Sequence, residues 1–532
     1  MYRYEVLAKT TSVSSPAVQA EADQLLHQAA CHLTPRIGSL PLELATNVSS
    51  HLGVGDLLPL ARVNRCLAEI ILPRLRRLLY GHVCLTVVLP LDRGQHHDRI
   101  PMFLRTLLRH PELALMVSGL EVIVWTGSRL KNPLRLTTLA SNILSEHDME
   151  LARPVVMASL QTGPMWLGRL RGGHIDALIA AVLACTKNIE TLILPAILQT
   201  KCSVLGPALK AHAPSLTRLN SVDLPDRIEH FCSGFYRHTS YDIFLPLFSV
   251  PNLRSVRVQL LPMHANGEGV FSRSGPPLPP AARLTSLTVS GHAPERVLGQ
   301  ILALCPSLED LSYEYIFSEA RNRHMASDAL GRALRLRGST LESVKVVVGS
   351  LVGTEYEGIG GTSRDMVGSL AFMSRLRGLD MTVATLAGQR SQAAPPLAAL
   401  LPGTLRTLRL RLRCCSSASR LGWLWDWTGP GLARYVCGFL RAKGSDGRSA
   451  VPSGLEQIEL WFEGGLDEDD NDDEMAGHGG EEEADEDAEV MLRSCGFEEV
   501  SVRDRDETWV YRLNLTKVPE GERVRPMDNI VT

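Results

Sequence analysis

Leu405–Leu410 reads LRTLRL, with leucine at the first, fourth and sixth positions. Successive side chains of an extended chain alternate between two faces, so the fourth and sixth positions lie on the same face. The hexapeptide therefore predicts a β-strand that buries one face. Arg409, at the fifth position, is expected on the opposite, open face.

Nine hexapeptides along the chain share apolar first and fourth positions, and all but the copy at Leu216 (LTRLNS) have an apolar sixth position. Their successive starts are 24 to 50 residues apart. Helical segments precede at least two copies, HIDALIAAVLAC and ERVLGQILALC. A helix–strand unit that cannot bury its apolar face alone stacks on its neighbours. The repeat therefore predicts an α/β solenoid. Its other copies begin at Ile189, Leu216, Leu253, Leu284, Leu308, Leu341, Leu376 and Leu455.

This segment resembles the leucine-rich repeat, whose unit reads L-x-x-L-x-L-x-x-N/C-x-L. The spacing here is irregular, and the Asn or Cys of the family motif is not at its usual offset. The resemblance implies a degenerate leucine-rich-repeat-like region over residues 85–465. Within it, Phe103–Trp125 reads as a helix followed by a strand. Residues 490–532 are expected to hold a strand-containing end of this region and a tail.

The fifth position of each copy predicts the residues on the open face. In solenoids this is a common docking surface, while the alternative is an ordinary solvated sheet face. The candidates for contact with a protein substrate are Arg257, Lys345, Asp380, Arg409, Arg411 and Glu459. The complete fifth-position set is Ile193, Asn220, Arg257, Thr288, Ser312, Lys345, Asp380, Arg409 and Glu459.

A different pattern occupies Ile37–Leu67, which reads IGSLPLELATNVSSHLGVGDLLPLARVNRCL. Pro41 suits the first position of a helix, where its missing N–H has no intrahelical partner. Leu44, Val48 and Leu52 then recur at every fourth residue, which places them on one helix face. The stretch therefore predicts a helix with one apolar side.

Two glycines end that first helix, and Asp56 is a suitable cap for a second one. Leu57, Leu60 and Val63 supply apolar contacts on the second helix. A third apolar segment follows, and Pro73 kinks or ends it. These short helices carry more apolar surface than a two-helix unit buries within itself.

From Ile37 to about Val83, the order of Leu-Pro, Glu-Leu, Asp-Leu and Val-x-Arg resembles an F-box. Members of that family dock through this three-helix motif onto the Skp-type adaptor of cullin–RING ubiquitin ligases. The resemblance implies an F-box over residues 36–84. Carried over by position, the adaptor-binding residues are Leu40, Pro41, Leu44, Val48, Leu52, Leu57, Leu60 and Val63.

The two resemblances together are typical of fungal-type F-box proteins with degenerate leucine-rich repeats. They imply a non-catalytic, substrate-recognition subunit of an SCF-type ubiquitin ligase, with a protein substrate on the repeats. The alternative is a repeat scaffold whose N-terminal helices bind another protein, independently of ubiquitin. The expected fold class is α/β, with an N-terminal three-helix F-box followed by an irregular solenoid.

Charge is concentrated in one segment. Asp467–Glu489 holds 14 acidic residues and no Lys or Arg, and without them the net charge of −3 becomes +11 for the rest of the chain. Residues 466–489 are therefore expected to form an acidic disordered insert, and residues 1–35 a partly disordered arm. The mild positive charge is spread over the repeats, so no nucleic acid is expected as a partner.

The sequence carries no recognised catalytic motif, and we expect no enzyme activity, metal or cofactor. Its 11 cysteines form no C-x-x-C pair, which is typical of a reducing, intracellular compartment. Nucleus and cytoplasm are not distinguished. We expect no signal peptide, membrane span or membrane partner. Trp423, Trp425 and Trp427 alternate, which indicates either burial against the following helix or an exposed anchor for a partner.

Overall fold

The computed structural model of the chain describes residues 42–63, 65–89, 99–126, 143–157, 163–194, 204–224, 241–260, 279–291, 295–317, 326–350, 366–388, 391–414, 427, 429–442, 450–464, 481–501 and 508–517. The N-terminal arm, residues 1–35, lies outside these ranges. So do Leu40 and Pro41, and most of the acidic segment.

Within these ranges, thirteen strands form one sheet. The first eleven lie side by side in chain order, and each pairs in parallel with the next. The last two reverse direction: β13 is antiparallel to β11, and β12 is antiparallel to β13. The strands are β1 His82–Leu89, β2 Gly119–Thr126, β3 Thr191–Ile193, β4 Ser221–Leu224, β5 Ser255–Leu260, β6 Ser286–Gly291, β7 Asp310–Phe317, β8 Ser343–Ser350, β9 Gly378–Thr382, β10 Thr407–Cys414, β11 Gln457–Gly464, β12 Glu498–Ser501 and β13 Thr508–Asn514.

Helices or short helical turns connect most of the strands on one side of the sheet. This is the mixed α/β architecture that the repeated pattern predicts. The helices are α1 Leu42–His51, α2 Val54–Val63, α3 Arg65–Tyr80, α4 Arg99–Arg109, α5 Pro111–Ala114, α6 Glu146–Met157, α7 Gly163–Arg171, α8 Ile175–Cys185, α9 Leu205–His212, α10 Tyr241–Phe244, α11 Glu295–Ala303, α12 Ser327–Arg335, α13 Val383–Ala387, α14 Leu397–Leu400, α15 Gly429–Arg441 and α16 Glu481–Ser494.

The first, fourth and sixth positions of the hexapeptide form the core between sheet and helices. In the copy that contains β5, Leu253, Val256 and Val258 are buried, whereas Arg257 between the last two is exposed. The corresponding residues of the other repeats join one continuous apolar cluster with the helices. Burial of a leucine or valine side chain contributes about 1.5–3 kcal/mol, so this cluster is the main stabilising term of the solenoid.

The second position of the hexapeptide makes a backbone contact that recurs along the sheet. Its carbonyl oxygen accepts two N–H groups from the next repeat; for example, Glu309 accepts from Glu342 at 2.7 Å and from Ser343 at 3.0 Å. We call this series the carbonyl ladder. It comprises the carbonyls of Gly81, Ser118, Glu190, Asn220, Arg254, Thr285, Glu309, Glu342, Arg377 and Arg406.

The ladder corrects the predicted register of the repeat at β4. The sequence analysis started that copy at Leu216, which put Asn220 on the open face. In the structure the copy starts at Leu219, with Val222 and Leu224 buried, so Asn220 lies in the ladder and Asp223 takes the open position. Leu216 is also buried, but it closes a turn by donating its N–H to Ala213.

Three helices, α1 to α3, occupy the stretch in which the sequence predicts a three-helix motif. They have their own small core of Leu57, Leu67, Ile71 and Leu75, separate from the core of the solenoid. A single residue, Gly81, separates α3 from β1. A Cβ there would lie 2.4 Å from the carbonyl oxygen of Arg77, so only glycine makes this close turn.

The C-terminal end departs from the expected disorder of residues 466–489. Residues 465–480 lie outside the described ranges, but the remaining acidic residues belong to α16, whose side chains Ala488 and Leu492 are buried. These apolar residues, four apart on one helix face, pack in the same core as Val436 on α15. Charge composition predicts a solvated loop, and this local apolar spacing explains why a helix forms instead.

Trp427 is buried rather than exposed. Its indole N–H donates to the carbonyl of Gly388 at 2.7 Å, and its ring meets that of Tyr435 on α15 edge-to-face at 5.0 Å. For this residue, burial against the following helix is the correct alternative. Trp423 and Trp425 lie outside the described residues.

The burial of the fourth-position residues predicts the effect of truncating one of their leucines. We expect Leu287→Ala, in the middle of the sheet, to lower the free energy of unfolding by about 2–5 kcal/mol because it leaves a cavity. Leu336→Ala is the control, since that leucine is exposed, and its effect should stay within about 0.5 kcal/mol. Urea titration followed by circular dichroism measures both, and equal effects would contradict the assigned register.

Candidate functional site

The open face of the sheet is a continuous surface that faces away from the connecting helices. Fifth-position residues of neighbouring repeats are direct cross-strand partners there, and they form what we call the central row. Its members, from β1 to β11 and then β13, are Cys84, Glu121, Ile193, Asp223, Arg257, Thr288, Ser312, Lys345, Asp380, Arg409, Glu459 and Arg512. With strands about 4.8 Å apart, the row is about 50 Å long.

A second row lies on the same face, two residues earlier in each parallel strand, and we call it the hydroxyl row. Small and hydroxyl-bearing side chains dominate it, and most are half-buried. The packing is close: a Cβ on Gly119 would lie 2.9 Å from the hydroxyl oxygen of Thr191. Its members from β3 to β10 are Thr191, Ser221, Ser255, Ser286, Asp310, Ser343, Gly378 and Thr407.

The pattern of apolar positions does not predict the hydroxyl row, although its signal is present in the hexapeptides. Their third position reads Thr, Ser, Ser, Asp, Ser, Gly, Thr and Gln in the eight copies with the correct register. Attention to the apolar positions alone hides this regularity. The row makes the floor of the open face shallow and rich in hydrogen-bonding groups.

The two halves of the central row differ in how accessible their charges are. Arg257 is 61% exposed and lies 3.9 Å from Asp223, a separation at which an exposed pair contributes little. Lys345 is also exposed. Between them lie the uncharged side chains of Thr288 and Ser312. This middle part of the face therefore presents cations that a partner can reach.

At the C-terminal end of the row, charged side chains bind one another. Arg411 makes a bidentate contact with Asp380, with nitrogen–oxygen distances of 2.7 and 2.9 Å. Arg409 bridges two carboxylates, at 3.3 Å to Asp380 and 2.8 Å to Glu459. We call this group, completed by Trp461 and Arg512, the charged cluster. Bidentate contacts of this kind fix the orientation of the guanidinium group.

Glu459 is the centre of the charged cluster, and its side chain is only 7% exposed. It also accepts hydrogen bonds from Arg512 at 2.8 Å, Gln457 at 2.7 Å and the Trp461 indole at 3.2 Å. Burial alone would raise the pKa of this carboxyl. The hydrogen bond from Trp461 and the guanidinium of Arg409 outweigh burial, so the pKa lies below its ordinary value.

Trp461 also binds the two arginines through its ring. The guanidinium carbons of Arg409 and Arg411 lie 4.7 and 4.6 Å from its centroid, within cation–π range. Four of the sequence-predicted site residues are thereby bound within the cluster: Asp380, Arg409, Arg411 and Glu459. This end of the face is rigid, whereas the cations near its middle stay accessible.

The proposed adaptor-binding residues fall into three groups. Val48 on α1 is 54% exposed. Leu52 and Leu60 are half-buried against the small helical core, and Leu57 is fully buried within it. Leu44 belongs to α1 and Val63 ends α2. Leu57 therefore holds the helices together. Among the residues of this set whose side chains the structure describes, Val48 is the most exposed.

A cleft of about 400 Å³ lies where the N-terminal helices meet the solenoid. Tyr80 of α3 stacks on Phe103 of α4 at 6.4 Å. On the solenoid side, Arg105 and Arg109 of α4 both bind the buried carboxylate of Asp148 on α6, at 3.0 and 2.8 Å. The two arginines are thus engaged within the solenoid, and the stacking of Tyr80 on Phe103 joins α3 to the first repeat.

In the part of the chain that the structure describes, no three His, Cys, Asp or Glu side chains converge as a metal site requires. No helix within the described ranges combines the length and apolar character needed to cross a bilayer.

No family model matches the sequence, and no curated protein matches it. Among solved structures, the chain is similar to the crystal structure of the leucine-rich repeat-containing protein LegL7 from Legionella pneumophila. The two share 11% sequence identity with a TM-score of 0.28, over 71% of this chain and 91% of that chain. A likeness this weak carries no conclusion about function.

The charged cluster predicts a pH-dependent stability. Glu459→Gln keeps the shape but removes the charge that binds two guanidinium groups, and we expect it to cost about 2 kcal/mol at pH 7. Because the pKa of Glu459 is lowered in the folded state, its contribution is complete above about pH 4.5 and disappears as the pH falls further. The difference between wild type and variant should therefore narrow in acid.

Urea titrations of both proteins between pH 3 and pH 7 measure this difference. Glu314→Gln, at an exposed position of β7, is the matched control and should leave stability unchanged at every pH. A pH-independent difference for Glu459→Gln would contradict the assignment of the cluster as an ionic network.

Proposed function

We propose that this chain is a non-catalytic substrate-recognition subunit of an SCF-type cullin–RING ubiquitin ligase. In this proposal, α1 to α3 bind a Skp-type adaptor and the open face of the solenoid binds a protein substrate. The residue order over Ile37–Val83, which resembles an F-box, supports the first half. The central row supports the second.

The observation that carries the proposal is the apolar surface of the N-terminal helices. Among the described residues, thirteen large apolar side chains are exposed, and five belong to α1, α2 or α3, a stretch of under forty residues. Contiguous apolar patches mark protein-binding surfaces, and the concentration of exposed apolar residues on one three-helix unit supports such a role. The five are Val48, Leu58, Leu72, Leu78 and Leu79.

Within the same unit, some apolar residues form the core and others are exposed to a partner. Leu57 and Leu67 form its core, so a partner contacts the unit without opening it. Val48, on the first helix, is then the described residue of the F-box-like set that is best placed for direct contact. The turn at Gly81 couples this unit to the first strand, so a bound adaptor would be held at a defined distance from the open face.

Recognition alone would account for the contribution of such a subunit to ubiquitin transfer. A substrate held on the open face would be kept near the conjugating enzyme, which raises its effective concentration. The accessible cations Arg257 and Lys345 favour an acidic or phosphorylated region on the substrate.

The adaptor half of the proposal predicts the effect of one substitution. Val48→Asp should abolish or strongly weaken co-purification with a Skp-type adaptor, because a charge would have to lose its water inside an apolar interface. Leu336→Asp places the same change on an equally exposed leucine of the solenoid and should bind normally. Size-exclusion chromatography of the co-expressed pair is the measurement.

Two outcomes would reject the adaptor half. One is a wild-type chain that does not bind the adaptor, and the other is a Val48→Asp variant that binds as well as wild type. If the open face still captured a substrate in either case, the chain would act as a scaffold independent of ubiquitin.

The substrate half predicts that the accessible cations of the central row matter. Replacing Arg257 and Lys345 with Glu reverses their charge. This double variant should capture severalfold less of each protein that the wild-type chain binds specifically, as measured by quantitative mass spectrometry. The matched control reverses Arg153 and Arg296, two exposed arginines on the helix side, and keeps the same net charge. Equal capture by both double variants would place the substrate elsewhere.

A further inference from the structure

Two cysteines at the C-terminal end of the solenoid are in direct contact. Cys437 lies on α15, and Cys495 follows the last residue of α16. Their sulfur atoms are 2.7 Å apart, against about 2.05 Å for a disulfide bond. Both are free thiols here. Little movement of either helix is therefore needed to join them.

Their surroundings differ in a way that assigns each sulfur a role. Cys495 is half-buried, and a guanidinium nitrogen of Arg441 lies 3.7 Å from its sulfur. The hydrogen bond with Cys437, aided by Arg441 and against the effect of burial, lowers the pKa of Cys495 to about 6. Cys437 is buried, and the contact with Cys495 together with desolvation raises its pKa. Cys495 is thus the better nucleophile.

We propose that Cys437 and Cys495 form a redox-active dithiol that hydrogen peroxide converts to an intramolecular disulfide. The Cys495 thiolate attacks one peroxide oxygen, the O–O bond breaks, and hydroxide leaves and is protonated to water. The sulfur of Cys437 then attacks the resulting sulfenic acid, loses its proton, and displaces a second water. Two thiols and one peroxide give one disulfide and two waters.

The bond would fasten α15 to the turn after α16. It would enclose β11, which carries Glu459 and Trp461 of the charged cluster. A cross-link between these positions restricts the unfolded chain more than the folded one. The oxidised protein should therefore unfold at a higher temperature than the reduced protein, and a thiol reductant should reverse the shift.

The direct test treats the purified full-length chain with hydrogen peroxide, alkylates the remaining thiols and maps the linked peptides by mass spectrometry. The expected product is a Cys437–Cys495 linkage that a reductant removes. Cys305→Ser is the matched control, because Cys305 is a buried cysteine of another repeat, and that variant should form the same linkage. Absence of the linkage from the wild-type chain would overturn the proposal.

Single variants test the assigned roles. In Cys437→Ala the second step is blocked, so peroxide should leave a sulfenic acid on Cys495 that a 1,3-diketone probe labels. In Cys495→Ala, Cys437 should stay reduced under the same treatment. If Cys437 in the Cys495→Ala variant is oxidised as fast as Cys495 in the Cys437→Ala variant, Cys495 is not the attacking thiolate.

Discussion

The carbonyl ladder is the contact that holds the solenoid in register. One backbone oxygen per repeat accepts two N–H groups of the next repeat, from Gly81 at the first strand to Arg406 near the last parallel one. Successive carbonyls of the ladder lie 24 to 72 residues apart along the chain. This variation does not disturb the ladder, because only the starts of the strands take part in it. Extra residues accumulate in the connections, where they cost little.

The fixed register explains the charged cluster. The ladder aligns the fifth positions of β9, β10 and β11, so Asp380, Arg409 and Glu459 become direct cross-strand partners. Opposite charges in such cross-strand pairs stabilise a sheet. Glu459, the more buried carboxylate of the cluster, also accepts hydrogen bonds from Gln457, Trp461 and Arg512. The cations of β5 and β8 face Thr288, Ser312 and two acidic neighbours, and they remain open to a partner.

Much of the fold could be predicted because its signal is local. Eight of the nine copies have the predicted register, since Leu, Val or another apolar residue fills all three buried positions. The predicted register of the copy at Leu216 was wrong because two overlapping hexapeptides, starting at Leu216 and Leu219, both begin with a buried leucine. Periodicity also cannot distinguish a core residue from a contact residue on a small helix, which is why Leu57 and Val48 stood together in the predicted adaptor set.

The ion pairs of the open face could not be predicted from the sequence for a different reason. The fifth-position residues were identified, but their neighbours depend on strand order and on the antiparallel strand that brings Arg512 to Glu459. Likewise, Cys437 and Cys495 meet only because α16 packs on α15. Contacts between distant segments follow from the assembled core, and no local pattern encodes them.

The reversal of direction at β13 changes the edge that the described sheet exposes beyond β11. A parallel solenoid that simply stopped would offer its last strand as a template on which another chain could polymerise. Here β13 occupies that position in the opposite orientation, and the outermost described strand, β12, has four residues, two of them glutamates. Short, acidic edges resist end-to-end association. The two antiparallel strands therefore protect this edge of the described sheet from pairing with another chain.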